Sequence, residues 1–100
     1  MNSRSDWNGT ALYYAASNGQ DEVIEILLKK GAEVDPKDNK EWTPLIWAAK
    51  KGYEKVIKVL IQAGADVNAR NDLQKTALFH AQKENHYDVE DILIENGAHL

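Results

Sequence analysis

The stretch from Trp42 to Ala69, WTPLIWAAKKGYEKVIKVLIQAGADVNA, decides how the chain folds. Thr43-Pro44 opens a short helix, because Thr accepts a free backbone N–H as N-cap and Pro is tolerated at the first helical position. Ala48-Ala49 supplies a small-residue surface that lets a neighbouring helix approach closely. Lys51-Gly52 breaks the chain, since Gly takes the positive φ that ends a helix without steric penalty. A second helix follows from about Glu54 and presents Val56, Ile57, Val59, Leu60 and Ile61 as its apolar face. Gly64 stops it, and Ala65-Asp66-Val67-Asn68 leads out. Neither helix is long enough to persist alone in water, so each must bury its face against another element.

Those other elements are copies of the same stretch. A step of 33 positions aligns Thr10, Thr43 and Thr76, then Leu12, Leu45 and Leu78, with no insertion anywhere. The same step aligns Val23, Val56 and Val89; Leu27, Leu60 and Leu93; Gly31, Gly64 and Gly97; and Ala32, Ala65 and Ala98. With Thr43-Pro44-Leu45 and Ala48 in the places of a T-P-L-H-x-A signature, the chain resembles the ankyrin repeats. The resemblance covers nearly the whole length as three repeats, roughly 5–37, 38–70 and 71–100, in one domain over 5–100. Met1 to Arg4 reads as a disordered tail. The resemblance implies an all-α solenoid of three helix-turn-helix units joined by β-hairpin-like turns. It also implies a non-enzymatic scaffold that binds another protein.

Composition bounds the function without naming it. The net charge of −4 argues against a nucleic-acid footprint, which needs a clustered basic face. The charge is uneven: repeat one has six acids and three Lys (−3), repeat two four acids and six Lys or Arg (+2), repeat three six acids and two Lys (−4), and Arg4 completes the total. The absence of cysteine excludes disulfides, Cys-ligated zinc and thiol chemistry. The opening MNSRSDWNG is polar and carries no signal-peptide core. Glu25 and Lys58 interrupt the longest apolar runs, so no membrane span is expected. These features point to an intracellular protein, cytoplasmic, with the nucleus as the alternative compartment. Asn8-Gly9-Thr10 has the form of a glycosylation sequon, but reads as a turn Asn and a helix-capping Thr.

In repeat one the second helix runs from about Asp21 to Lys30, acids first and Lys29-Lys30 last, as the helix dipole favours. Val23, Ile24, Leu27 and Leu28 form its expected buried stripe. Pro36 discourages helical continuation, and Asp38-Asn39-Lys40 supplies turn chemistry for a hairpin tip. Repeat three replaces the second Ala of the pair (Ala16, Ala49) by Gln82, and the apolar Ile24 and Ile57 by Glu90. Polar groups at buried positions are unfavourable, so this side is expected to face water as a terminal cap. Leu100, matching Val34 and Val67, reads as a natural end, whereas the N-terminal side shows no comparable cap. The His of the family signature is replaced by Tyr13, Ile46 and Phe79, which removes the usual Thr–His hydrogen bond. The turn Gly two positions before each Thr is Asn8, Glu41 and Gln74, and a positive φ at Glu41 or Gln74 costs about 1 kcal/mol. Asn85 stands for the inter-helix Gly.

Catalytic chemistry finds little support. His80, His86 and His99 lack metal-ligand spacing, no Ser, His and acid set forms a triad, and no phosphate loop is present. His86 aligns with Gln20 and Tyr53 and reads as structural. No metal and no cofactor are expected. Three Trp and four Tyr exceed what a thin two-helix stack buries, and aromatics favour interfaces. The resemblance points Tyr14, Trp47 and His80 into a concave groove, with Ser17-Asn18, Lys50-Lys51 and Lys83-Glu84 beside them. It puts Trp7, Lys40, Trp42, Leu73 and Lys75 on the hairpin tips, where Trp42 has a packing role as its main alternative. For Tyr14, Trp47 and His80 both anchoring and core packing stay open. An aromatic row flanked by Lys50 and Lys51 suits an acidic or mixed partner segment. A monomer is expected, with neither nucleic acid nor membrane as partner; the alternative is a homodimer stacked through the N-terminal face.

Overall fold

A computed structural model describes residues 11–99. The tail at Met1–Arg4, Trp7, the Asn8 turn, the Thr10 cap and Leu100 lie outside the described residues. Six helices follow in pairs: α1 (residues 11–17), α2 (Asp21–Lys29), α3 (Pro44–Lys51), α4 (Glu54–Gln62), α5 (Ala77–Lys83) and α6 (Tyr87–Glu95). Their boundaries follow local chemistry. Thr43 Oγ1 accepts the Ile46 N–H at 3.2 Å with Pro44 at the first position of α3, and Thr76 Oγ1 accepts the Phe79 N–H at 3.2 Å. Gly52, at φ +81°, ends α3 and donates its N–H to the Ala48 carbonyl at 2.8 Å.

Within units α3 packs on α4 and α5 on α6; between units α3 packs on α5, α2 on α4 and α4 on α6. The core is one continuous cluster in which Leu12, Leu45, Leu60 and Leu93 are buried with Ile24, Ile46 and Ile57. Ala15, Ala16, Ala48, Ala49 and Ala81 fill the close approaches between helices. His86 locks two units together. Its Nε2–H donates to the Lys50 carbonyl at 3.0 Å, and its ring covers Gly52 so closely that a Cβ there would sit 2.6 Å from Nδ1.

Three expected core positions differ in repeat one, Leu28 among them being only partly buried. Val23 is 41% exposed whereas Val56 and Val89 are at 1%, and Leu27 is only partly buried whereas Leu60 and Leu93 are fully so. The cause is the stacking order: α4 and α6 each pack on the outer helix of the preceding unit, and no described helix precedes the first pair. At the other end Gln82 is exposed and donates from Nε2 to Glu90 Oε2 at 3.0 Å, a polar bridge between α5 and α6.

No strand occurs among the described residues, so the connections between units are turns tied by side chains. Asp38 Oδ1 accepts the N–H groups of Lys40 and Trp42, both at 2.9 Å, while the Asp38 N–H donates to the Trp42 carbonyl at 3.1 Å. One period later Asn71 Oδ1 accepts from Leu73 N–H at 2.9 Å and Lys75 N–H at 3.0 Å. Both turns need a left-handed residue, and Glu41 (φ 63°) and Gln74 (φ 64°) supply it in place of glycine. The two tips are joined by the Asp72 N–H, which donates to the Lys40 carbonyl at 2.9 Å.

Candidate functional site

The turn at 38–42 and the start of α3 place two indoles side by side. Trp42 and Trp47 lie with ring centroids 4.6 Å apart at 38°, and His80 from α5 lies 4.6 Å from Trp42 on a 40° tilt. Each ring is held. Trp47 Nε1–H donates to Asp38 Oδ2 at 3.4 Å, and the Trp42 carbonyl accepts both the Tyr13 hydroxyl at 2.8 Å and the Asp38 N–H at 3.1 Å. Burial, with the Asp38 and Glu33 carboxylates adding, pushes the Tyr13 phenol well above its usual range, so it stays a donor. Beside the indoles opens a cleft of about 390 Å³ lined by Asp38, Asn39, Lys40, Trp42, Trp47 and Lys50.

His80 is buried at 7% exposure and supports this floor. Asn71 Oδ1 is occupied by two backbone N–H groups, so its Nδ2 is the donor to His80 Nε2 at 3.4 Å and the imidazole is neutral there. Burial depresses the His80 pKa below 6.5, and the Lys50, Lys83 and Lys75 charges depress it further against the opposing Glu84. Lys50 Nζ meets Glu84 Oε2 at 3.7 Å, and Lys75 Nζ stands 4.5 Å above the Phe79 ring, itself edge-on to His80. Among the described residues no group of three His, Asp or Glu side chains is placed to hold a metal.

A family model described as ankyrin repeats, in three copies, matches residues 1–71 and 38–100. The chain belongs to the ankyrin-repeat family. No curated protein matches it significantly. Ankyrin repeats in general mediate protein–protein interaction and are typically binding modules without catalysis. Of the residues expected at an ankyrin binding face, Trp42, Trp47, Lys40 and Lys50 line the cleft, while His80 is buried against Trp42 and Glu84 pairs with Lys50. Lys75 reaches the cluster through Phe79. Tyr14, 72% exposed, stands apart and its carbonyl accepts from Asn18 Nδ2 at 2.7 Å. Leu73 is exposed on the second tip, and Lys51 and Lys83 are exposed near the ends of α3 and α5. Trp7 lies outside the described residues. Sequence reasoning missed Asp38, Asn71 and Phe79 as parts of the site. The signal was present, because Asp38 and Asn71 recur one period apart.

Proposed function

We propose that this ankyrin module is a non-enzymatic, cytoplasmic scaffold that binds another protein through the cleft between its first described tip and α3. The observation that carries the reading is the stacked Trp42–Trp47 pair, braced from beneath yet open on the cleft side. Paired, immobilised indoles at an accessible surface have the character of an interface anchor. Neither nucleic acid nor membrane is the proposed partner; among the described residues no helix is long and apolar enough to cross a bilayer. A photo-reactive amino acid at Asn39, in the cleft, should yield a protein adduct in cell extract, and the same group at Glu25 on α2 should not. Adducts from Glu25 alone would overturn the reading.

A second reading is self-association through the N-terminal face, favoured by the exposure of Val23 (41%) and Ile26 (54%) on α2. Equilibrium sedimentation separates the two, since stacking predicts a concentration-dependent dimer that Val23→Lys abolishes.

A further inference from the structure

We infer that the cleft takes an acidic segment of a partner protein, one of whose carboxylates replaces Glu84 on Lys50. This deepens the docking reading above and rests on it. The carboxylate in the cleft keeps its charge but has its oxygens occupied, Asp38 Oδ1 by two backbone N–H groups and Oδ2 by the Trp47 indole, so the lining sets two lysines against one acid. The cations are not spent. Lys40 is exposed and forms no ion pair among the described residues. Among the described residues Lys50 pairs only with Glu84, at 3.7 Å with the two side chains 38% and 37% exposed, a geometry in which the pair contributes little and exchanges readily. Around His80 three lysines, Lys50, Lys83 and Lys75, stand against the single Glu84, although the chain as a whole is acidic.

The two kinds of group divide the work. The indole faces accept an apolar or aromatic side chain, while Lys40 on the tip and Lys50 on α3 take carboxylates at either side of it. Glu84 acts as an internal placeholder on Lys50 until a partner carboxylate arrives. A polynucleotide fits less well. The exposed Glu41 and Asp72 flank the basic area on the tips, so it is one cleft in size and does not track a phosphate backbone.

The test is selection of roughly twelve-residue random peptides displayed on phage against the full chain. Calorimetry of the synthesised peptide follows, at low and high salt. Selected peptides should carry Asp or Glu around an apolar residue. Lys50→Ala and Lys40→Ala should each weaken binding about five- to tenfold, and Glu84→Gln should strengthen it about threefold, with all three differences shrinking in high salt. Melting is recorded for every variant, and Lys40→Ala, at an exposed side chain, keeps the test valid if Lys50→Ala proves unstable. Neutral or basic peptides that still depend on Trp47 would overturn the acidic inference and leave the docking surface standing. Peptides indifferent to Trp47, Lys40 and Lys50, or an empty selection, would overturn the docking surface itself. An acidic peptide that Glu84→Gln weakens would remove the placeholder, and an oligothymidylate that displaces the peptide would reassign the cleft to nucleic acid.

Discussion

Asp35 and Asn68 hold the same place in successive repeats, and the difference between acid and amide sets up a local conflict. Asn68 Oδ1 accepts the His99 N–H at 2.9 Å and its Nδ2 donates to the Gly97 carbonyl at 3.2 Å. Asp35 Oδ2 likewise accepts the Asp66 N–H at 2.8 Å, but its Oδ1 is buried without a partner. One period before Gly97 stands Gly64, whose carbonyl can only accept, so the carboxylate lacks the proton that the amide supplies. Burial raises the Asp35 pKa above 3.8 and the Asp66 charge adds to this, outweighing the Asp66 N–H and Lys37. The folded state thus binds a proton more readily than the unfolded chain. Asp35 disfavours folding above its folded pKa, and that penalty is relieved as pH falls through the folded pKa toward 3.8. Asp35→Asn should stabilise the protein by about 1 kcal/mol at pH 7, with the gain shrinking on acidification. Urea midpoints at neutral and acid pH measure this, and a less stable variant at pH 7 would mean that the charge itself is needed beside Lys37.

At the scale of the helix pair, Gly52 and His86 form one joint. A Cβ on Gly52 would lie 2.6–2.9 Å from three atoms of the His86 ring, at a backbone φ of +81° that an L side chain resists. Gly52→Ala must therefore strain the end of α3 and push away the ring that donates to the Lys50 carbonyl. A loss of about 2–4 kcal/mol is expected, while Gly19→Ala, facing the Tyr53 ring at 3.1 Å with no inter-repeat hydrogen bond from that ring among the described residues, should lose less. Equal losses in a denaturation series would remove His86 from the account. Much of this element-level structure was legible in the sequence because its causes are local. Thr43, Pro44 and Gly52 mark a helix by their own chemistry, and Glu41 and Gln74 betrayed their left-handed backbone by standing where glycine belongs. What periodicity could not carry was each residue's set of neighbours. It gave Val23 the same burial as Val56, and it could not show that the Tyr13 hydroxyl reaches the Trp42 carbonyl. For the cleft, the sequence supplied Trp42, Trp47, Lys40 and Lys50. The contacts from Asp38 to Trp47, from His80 to Trp42 and from Lys50 to Glu84 join separate elements and had no local signature.

Across the whole molecule the two ends of the stack differ, and so do its two sides. The third unit carries the exposed Gln82–Glu90 bridge where the two before it carry Ala and Ile. Gln82→Ala with Glu90→Ile should expose an apolar patch and make the protein associate in equilibrium sedimentation. If the double variant stays monomeric and loses stability instead, the bridge serves the fold rather than the surface. The sides are distinguished by charge and ring content: Glu25, Lys58 and Asp91 are exposed on the outer helices α2, α4 and α6, whereas Trp47 and Lys50 line the cleft. Trp47→Ala is the change that decides whether the cleft is an interface. Trp47 is half-buried, packed on Trp42 and bonded to Asp38, so truncating it removes both an anchor and some internal packing. Affinity and stability must then be measured on the same variant. An interface residue predicts a binding loss of about 2 kcal/mol or more with folding changed by about 1 or less. A core residue predicts a folding loss of about 3–5 kcal/mol that accounts for any loss of binding. Because Trp42 retains His80 beneath it when Trp47 is gone, the first outcome is expected, with the indole contributing mainly to the dissociation rate. Should a partner be weakened by Glu25→Lys or Asp91→Lys and remain indifferent to Trp47→Ala, the docking face would move to the outer helices.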